Sequence, residues 1–350
     1  MYDYEKPLPK NFYIEKEIIS GSSAKIFILV DSQGNRIVRK ISNEEGINKN
    51  GKDKLRKEII FLEYFHATKS NDLYPKIYSY EMNERYVYYD MSFLEGKTLQ
   101  QLLIENSIEK AEECCNKVLE DLCSYSNINI NDGNNEKNVL LYKSYVDKTK
   151  QVFFKLLKKY SILEFIQREY LIINDKKYKN VQCLIEYLYK NEIIKRLKGN
   201  ETAFCFHGDL ISSNIIYNNG CVNYIDPRGQ FTVFDICYDI AKMKFSFSGY
   251  DQVNNNKFNI YNRGNSIYFT LNEDANAYIN EKFFSILRKN EIFSDSIIKR
   301  DGYWKERIRL HTALQYINNS YIQLEKGNID KFKAMYSIGV IKLNELIDKL

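Results

Sequence analysis

Residues 203–229 read AFCFHGDLISSNIIYNNGCVNYIDPRG, and the rest of the chain is organised around this stretch. An apolar strand at 203–206 leads into His207-Gly208-Asp209. Asn219-Gly220 is a strong two-residue turn signal between an apolar run and an alternating run. The sequence therefore predicts a short hairpin in which residue 218 faces residue 221 and residue 214 faces residue 225.

The predicted hairpin brings two oxygen-bearing side chains to its open end. Asn214 and Asp226 would lie about 5 Å apart in backbone terms, and Asp209 is a second carboxylate close by in the sequence. An amide oxygen and carboxylates are ligands that suit a hard cation such as Mg2+. This end of the hairpin is therefore a candidate magnesium site.

Length and composition indicate a globular protein with a large core, in one large domain or two lobes. The 350 residues are 44% hydrophobic and 28% charged, with 51 basic and 46 acidic residues and a net charge of +5. That charge is too mild to indicate a nucleic-acid or membrane-binding protein. We expect no nucleic-acid partner, no membrane insertion and no obligate protein partner.

Cysteine spacing and the N-terminal sequence bear on the compartment. None of the seven cysteines forms a C-x-x-C pair, which favours reduced, mostly buried thiols over a zinc site or a disulfide framework. Residues 1–10 contain no apolar run of the signal-peptide kind, and no stretch approaches the length of a membrane span. The expected location is cytoplasmic.

Three strands are predicted at residues 13–19, 24–30 and 36–42. Because side chains alternate along a strand, Lys40 should face one side of the sheet and Arg39 the other. The turn between the first two strands contains three small residues whose backbone N–H groups could lie over phosphates: Gly21, Ser22 and Ser23. An ordinary hairpin turn is the alternative.

A helix is predicted at residues 52–66, because apolar residues recur at helical spacing. Glu58 lies beside this apolar stripe, on the flank that a neighbouring sheet could reach. A carboxylate in that position could hold Lys40 by an ion pair. A surface charge is the alternative.

The remaining pattern predicts an α+β protein of two lobes. A strand pair is expected at 76–81 and 86–92, and a helix should begin after Thr98 as its N-cap. The first lobe, 1–95, would be a small antiparallel sheet with one helix, and the second, 96–350, would be larger and mostly helical. Further helices are predicted at 140–170, 181–198, 235–247, 272–289, 294–315 and 331–349. A loop or exposed linker is expected at 126–138, and a loop or irregular strand at 254–264.

The spacing His-Gly-Asp-x-x-x-x-Asn, followed by Asp226, resembles the catalytic core of the protein-kinase-like fold. Gly208, where protein kinases usually carry Arg, makes the chain resemble the aminoglycoside phosphotransferase and choline kinase-like family of small-molecule kinases. The resemblance covers roughly residues 14–250. It includes Val38-Arg39-Lys40, Glu58, Phe93-Leu94-Glu95-Gly96 and the segment 235–242.

The resemblance implies roles for the polar residues of the core, because phosphoryl transfer depends on positioning and charge neutralisation. Asp209 would orient the acceptor hydroxyl and accept its proton. Asn214 and Asp226 would hold Mg2+ on the phosphates of ATP. Lys40 would contact the α- and β-phosphates and pair with Glu58.

The resemblance also implies contacts to the nucleotide from the first lobe. Gly21, Ser22 and Ser23 would form the phosphate loop, although with one glycine this loop is poorer than the family's. The backbone around Met91 and Phe93 would hydrogen-bond adenine. His207 is expected to be a structural hydrogen-bonding residue, because Asp209 already fills the position of the base.

Arg228 marks a departure from protein kinases, since Pro227-Arg228-Gly229 stands where they have Phe-Gly. Asp-Pro-Arg-Gly resembles small-molecule kinases of bacterial surface-polysaccharide and phosphocholine pathways. Arg228 could reach an anionic substrate or a phosphate. The alternative is an ion pair with a nearby acid such as Asp235.

Candidate acceptor residues lie after the core. Tyr250, Asp251 and Trp304 would suit a cationic ammonium group, with core packing as the alternative for Trp304. The long helical insert before Asp209 and the absence of an A-P-E segment favour a small alcohol over a protein substrate. No acidic cluster follows residue 245, which counts against a polycationic aminoglycoside.

These observations support an ATP- and Mg2+-dependent kinase that phosphorylates a hydroxyl of a small metabolite. The metabolite would be a choline-like amino alcohol or a sugar, with surface-polysaccharide synthesis as one setting. One alternative is an aminoglycoside-modifying phosphotransferase. The other is a catalytically silent, kinase-like nucleotide-binding protein.

Overall fold

The structure is a computed structural model of the chain, and its secondary structure is of mixed α+β type. Among the described residues, no helix combines the length and apolarity that a membrane span requires. The structure describes residues 8–18, 24–43, 51–69, 72–125, 129–130, 135–159 and 164–350.

Strands occupy both the N-terminal region and the stretch around the hairpin predicted from Asn219-Gly220. The strands are β1 (Phe12–Ile18), β2 (Lys25–Asp31), β3 (Arg36–Asn43), β4 (Ile77–Met82), β5 (Tyr86–Ser92), β6 (Lys97–Thr98), β7 (Asn129–Ile130), β8 (Tyr170–Ile173), β9 (Lys176–Lys179), β10 (Glu201–Phe206), β11 (Ile215–Asn218), β12 (Cys221–Tyr224), β13 (Gln230–Phe234), β14 (Phe258–Arg263) and β15 (Ser266–Leu271).

Helices dominate the part of the chain after Thr98. The helices are α1 (Gly51–Lys69), α2 (Leu99–Ile104), α3 (Ile108–Tyr125), α4 (Asn135–Lys159), α5 (Glu164–Gln167), α6 (Val181–Leu188), α7 (Asn191–Leu197), α8 (Cys237–Phe245), α9 (Asp251–Asn254), α10 (Ala275–Lys289), α11 (Glu291–Phe293), α12 (Trp304–Glu325) and α13 (Ile329–Ile347).

The chain packs into two compact units that are not continuous in sequence. The first contains the residues up to Lys97 together with His207–Asp209 and Asn214–Phe231. The second contains Thr98–Phe206, Leu210–Ser213 and Thr232–Leu350. Most of the stretch 203–229, which the sequence assigns to a second lobe beginning at residue 96, therefore packs with the first unit.

The first unit is built on a five-stranded antiparallel sheet in the order β1-β2-β3-β5-β4. Helix α1 contributes Leu55, Ile59 and Leu62 to the core, as its apolar stripe predicts. The central strand, β3, pairs residue by residue with β2 and β5 and places Lys40 opposite Tyr89. The small antiparallel sheet with one helix is therefore confirmed.

The hairpin β11–β12 has the predicted register. Asn218 pairs with Cys221, and Ile215 pairs with Tyr224. Asn219 has a φ of 47° and Gly220 a φ of 84°, which are the left-handed angles that a two-residue hairpin turn requires at both positions. The backbone N–H of Ile225 donates to the carbonyl oxygen of Asn214 at 3.0 Å, so the pairing extends to the open end.

The second unit is largely helical. Helices α12 and α13 pack closely against each other, and α12 also contacts α8 and α4. Its large apolar core is drawn mainly from α4, α6, α7, α12 and α13. Thr98 caps α2 with its side chain, and Gln101 completes a capping box, which confirms the predicted helix start.

Two hairpins of the second unit differ from the sequence prediction. Tyr170, the last residue of the predicted helix 140–170, instead begins β8, which pairs with β9, and the stretch 254–264, predicted to be a loop or irregular strand, contains the regular strand β14. Asn174 and Asp175, with φ of 48° and 63°, make the first turn. Strand β15 then pairs with β8 in parallel, a long-range contact that local periodicity does not reveal.

The predicted loop at 126–138 is also wrong in part. Residues Asn129–Ile130 form β7, which pairs with β10, and α4 begins at Asn135. The short strand forms because β10 supplies a partner from elsewhere in the sequence.

One buried cation holds several segments of the second unit together. Arg307 on α12 is fully buried and forms ion pairs with three carboxylates, those of Glu201, Asp235 and Asp301. Burial alone would raise the pKa of Asp235, but Arg307 and His311 lower it to about 2. Removing the guanidinium would therefore leave buried acids without their counter-ion.

We predict that Arg307→Met lowers the free energy of unfolding by about 3–5 kcal/mol, because uncompensated buried charges are costly. Urea denaturation of the purified chain measures this change. Arg309→Met is the matched control, since Arg309 lies two residues further along α12 in a part-exposed pair with Glu306 and should change stability by less than about 1 kcal/mol. Equal losses in the two variants would contradict a special role for Arg307.

Candidate active site

Lys40 lies at the centre of the polar cluster in the first unit. Its Nζ is 2.6 Å from Oε1 of Glu58 on α1 and also contacts the carboxylate of Asp226. The Lys40 side chain is almost fully buried, whereas the side chain of Asp226 is 31% exposed. The ion pair predicted between Lys40 and Glu58 is present, and one ammonium group links β3, α1 and the residue that follows the hairpin.

The opposite face of the same strand carries a second ion pair. Arg39 points away from Lys40 and donates to Asp90 through two nitrogens, at 2.7 and 2.8 Å. Its guanidinium carbon lies 4.5 Å from the centre of the Tyr88 ring. This pair is buried and fastens β3 to β5, so the alternation of the strand separates a structural cation from the cation of the candidate site.

Asn214 and Asp226 lie at the open end of the hairpin. The side-chain Nδ2 of Asn214 donates to the backbone oxygen of Asp209 at 2.9 Å. Because the nitrogen makes this bond, the amide oxygen is the atom that Asn214 can offer to a cation. Asp226 has a φ of 60°, a left-handed conformation that non-glycine residues adopt rarely and often at functional sites.

His207 fixes the backbone around Asp209. Its Nε2 lies 2.9 Å from the carbonyl oxygen of Ile225, and its Nδ1 accepts a 3.1 Å hydrogen bond from the backbone N–H of Asp209. These partners require the proton to be on Nε2. Burial lowers the pKa of His207 to about 4, although the nearby Asp209 carboxylate acts in the opposite direction. The ring is therefore a neutral structural element, as the sequence suggested.

Arg228 lies beside Asp209. Its guanidinium nitrogen is 3.4 Å from Oδ1 of the aspartate, and both side chains are about one-third exposed. The backbone N–H of Arg228 donates to the carbonyl oxygen of His207 at 2.8 Å. Asp235, the partner suggested from the sequence, pairs instead with Arg307 and with His311, whose Nε2 is 3.0 Å away.

The predicted nucleotide contacts are only partly described. Gly21, Ser22 and Ser23 lie outside the described residues. Met91 is buried on β5, and Phe93 follows that strand half-buried, with the guanidinium of Arg36 5.7 Å from its ring. The adenine contact of this backbone stays a prediction.

The three residues proposed for the acceptor belong to the second unit. Asp251 is buried, and it accepts hydrogen bonds from Ser212 at 2.5 Å and from Gln100 at 3.2 Å. Burial raises its pKa to about 7. Tyr250 is half-buried, with its ring 4.3 Å from that of Phe245. Their role in acceptor binding stays a prediction.

Trp304 packs edge-on against two phenylalanine rings, those of Phe284 and Phe293, and is buried. This is the core-packing alternative for that residue. The indole is therefore part of the interior of the second unit.

Within the described part of the chain, one group of side chains has the spacing of a metal site: Glu201, Asp235 and Cys237. A cation is already present there, because a guanidinium nitrogen of Arg307 is 3.1 Å from Sγ of Cys237 and pairs with both acids. The cluster is an ion-pair network.

Two contacts of the stretch 203–229 were not predicted from the sequence. Ser212 donates to Asp251, and both residues belong to the second unit. Gly229 lies directly on the backbone of α1 at Lys57 and Glu58. A glycine three residues after Asp226 was the available signal for the second contact, since glycine permits close backbone approach.

We predict that His207 makes the folded state sensitive to acid. The pKa of His207 is lower in the folded chain than the ordinary value of 6.5. Its contribution to the free energy of unfolding is therefore complete above pH 6.5, decreases as the pH falls below 6.5, and is lost by about pH 4. The difference corresponds to about 3 kcal/mol. His207→Gln, which cannot be protonated, should lose less stability than the wild type between pH 7 and pH 4, measured by urea denaturation. Parallel losses in the two proteins would exclude His207 as the source.

Comparison with known proteins identifies the fold. No protein-family model and no curated protein sequence matches the chain. Solved structures are similar over nearly its whole length. The amicoumacin kinase hAmiN in complex with AMP-PNP, Ca2+ and Ami has a TM-score of 0.50 and 12% identity, covering 98% of this chain and 89% of that chain.

Two aminoglycoside phosphotransferases are also similar. ADP-bound APH(2'')-Ib has a TM-score of 0.53 and 13% identity, covering 95% of this chain and 94% of that chain. The gentamicin complex of APH(2'')-IIa has a TM-score of 0.53 and 15% identity, covering 94% and 91%. At such identities the likeness shows the fold, and the chain has the protein-kinase-like α+β fold of these phosphotransferases.

Proposed function

We propose that the chain is an ATP- and Mg2+-dependent phosphotransferase that phosphorylates a hydroxyl of a small molecule. The observation that carries the proposal is the placement of Lys40 against two carboxylates, Glu58 and Asp226, in the same unit as Asp209 and Asn214. Catalysis of phosphoryl transfer needs this kind of fixed charge more than covalent chemistry. The structural neighbours support it, because one is an amicoumacin kinase bound to AMP-PNP and another is an aminoglycoside phosphotransferase bound to ADP.

The donor set at the open end of the hairpin fits Mg2+. Asp226 supplies a carboxylate with solvent access and Asn214 an amide oxygen, and the two residues are linked through the Ile225–Asn214 hydrogen bond. Mg2+ prefers oxygen ligands of this kind, completed by waters and substrate phosphates. When bound, the ion would neutralise charge that develops on the transferred phosphoryl group.

Asp209 is the proposed base. In the proposed step it accepts the proton of the acceptor hydroxyl, the hydroxyl oxygen bonds to the γ-phosphorus, and the bond from that phosphorus to the bridging oxygen of ADP breaks. Asn214 holds the backbone of Asp209, and His207 holds its N–H. These bonds would keep the carboxylate of Asp209 oriented while the acceptor hydroxyl loses its proton and is phosphorylated.

The positive charge of Arg228 affects which acceptors could bind beside Asp209. Its guanidinium lies 3.4 Å from Oδ1 of the proposed base, so positive charge is already present where the reacting hydroxyl would bind. A polycationic acceptor would be repelled there, whereas a neutral sugar or a small amino alcohol would be repelled less. We therefore favour a choline-like amino alcohol or a sugar.

The aminoglycoside alternative rests on a specific observation, which is that two of the similar structures are the aminoglycoside phosphotransferases APH(2'')-Ib and APH(2'')-IIa. It predicts that the chain protects a sensitive bacterium against aminoglycosides when expressed there. The favoured function predicts no protection.

We predict that Asp209→Asn lowers kcat by about 10²–10⁴-fold, because the amide cannot accept the hydroxyl proton. ADP release and the phosphorylated product should be measured together at saturating ATP. Asp53→Asn is the control, because Asp53 is a largely exposed carboxylate on α1 in the same unit, and it should leave kcat unchanged. Unchanged turnover in Asp209→Asn would overturn the proposed mechanism.

We predict faster turnover with choline-like amino alcohols or sugars than with aminoglycosides. The measurement is kcat/KM across a panel of both classes. Arg228→Gln should narrow the ratio between the classes, because removing the guanidinium relieves a polycationic aminoglycoside of more repulsion than a singly charged amino alcohol or a neutral sugar. An aminoglycoside as the best substrate of the wild type would replace the favoured function with the alternative.

The nucleotide-binding alternative has a distinct outcome. Mg2+ and ATP should raise the melting temperature of an enzyme and of a silent binding protein alike, since a bound ligand stabilises the folded state. Stabilisation together with no phosphorylation of any acceptor in the panel would identify a binding protein.

A further inference from the structure

The loop after Asp226 is seated on the backbone of helix α1. Gly229 has a φ of +61°, and a Cβ built there would lie 2.1 Å from the carbonyl oxygen of Lys57 and 2.9 Å from the backbone nitrogen of Glu58. Real Cβ atoms essentially never approach closer than 3.0 Å. Since the neighbouring atoms are helix backbone, a side chain at 229 would have to move the helix or the loop by roughly an ångström.

The other side of the loop is fixed to the segment that carries Asp209. The backbone N–H of Arg228 donates to the carbonyl oxygen of His207 at 2.8 Å, and the His207 ring binds the carbonyl oxygen of Ile225 at 2.9 Å. The loop therefore cannot yield easily to a bulkier residue at 229. Displacement would fall on α1.

Helix α1 in turn sets the position of Lys40. Glu58, whose backbone nitrogen meets Gly229, holds Nζ of Lys40 at 2.6 Å, and Nζ also contacts Asp226. The contacts form a closed ring that leaves the loop at Gly229, passes through Glu58 and Lys40, and returns at Asp226. A shift of an ångström is enough to break a hydrogen bond of 2.6 Å.

We infer that Gly229 is a positioning residue that sets the Lys40–Glu58 ion pair through backbone contact with α1. The inference rests on the proposed function only where it concerns the nucleotide, because the ring of contacts is formed by the chain's own residues. The loop that begins at Asp226, the proposed metal ligand, would therefore also support Lys40, the proposed phosphate-binding lysine.

The first experiment needs no nucleotide. Lys40 in Gly229→Ala should react several-fold faster with an amine-labelling reagent than Lys40 in the wild type, as mapped by mass spectrometry, because its ion pair is loosened. Gly34→Ala is the matched control. Gly34 also has a positive φ, +85°, but nothing lies within 4 Å of a Cβ there, so this variant carries the backbone strain without the clash. Equal labelling of Lys40 in folded Gly229→Ala and in the wild type would overturn the inference.

A double-mutant cycle tests the route through Glu58. Gly229→Ala and Glu58→Gln should each weaken binding of ATP with Mg2+, and the double variant should bind within about two-fold of Glu58→Gln alone. If the two substitutions instead weaken ATP binding multiplicatively in the double variant, Gly229 affects binding by a route other than Glu58. If the wild type binds no ATP, the proposed function fails while the labelling result still decides the inference.

A further variant covers the case in which Gly229→Ala does not fold. Lys40→Met leaves Gly229 in place but opens the ring, so hydrogen exchange should rise both at the backbone of 57–58 and at 226–229. Lys76→Met, at an exposed lysine of the same unit, should change neither. A rise at only one of the two segments would contradict the coupling.

Discussion

The ammonium group of Lys40, held between the carboxylates of Glu58 and Asp226, is the interaction on which the first unit depends. A buried charge is tolerated only when opposite charges and hydrogen bonds compensate for the water that it loses. The central strand, helix α1 and the segment after the hairpin must therefore converge on one point. Lys40 and Asp226 are 186 residues apart in the sequence, so a single cation defines how distant parts of the chain come together.

The local parts of this arrangement could be predicted from the sequence. Asn219-Gly220 determines a turn type, the turn determines the register, and the register places Asn214 opposite residue 225. Strand alternation separates Lys40 from Arg39, and helical periodicity places Glu58 beside an apolar stripe. Each of these predictions follows from chain geometry within a few residues.

What the sequence did not reveal depends on packing between distant segments. Strand β8 forms because β15 lies beside it in parallel, and no local pattern encodes that partner. The burial of Asp251 and the pairing of Arg228 with Asp209 are likewise results of the tertiary structure. A charged residue in a sequence shows that a partner is needed, but it does not show which acid supplies it.

Arg307 and Lys40, two of the buried cations of the chain, have surroundings that suit different tasks. Arg307 is surrounded by three acids that are all buried with it. Lys40 shares a carboxylate that is 31% exposed. The first set is closed to ligands and stabilises the core of the second unit. The Lys40 set can exchange its contact with Asp226 for another charged group without exposing the whole network to water. A site that binds charged ligands needs this property.

The discontinuity of the first unit has a consequence for synthesis on the ribosome. The five-stranded sheet and α1 lie within the first 97 residues, but His207–Asp209 and Asn214–Phe231 also belong to this unit. When the sheet emerges, Lys40 and Glu58 have no Asp226 to meet, and more than a hundred residues of the other unit are translated first. Such long-range contacts form slowly, so the nascent chain carries an incomplete unit until Phe231 has been translated. A chaperone that shields this surface would act during that interval.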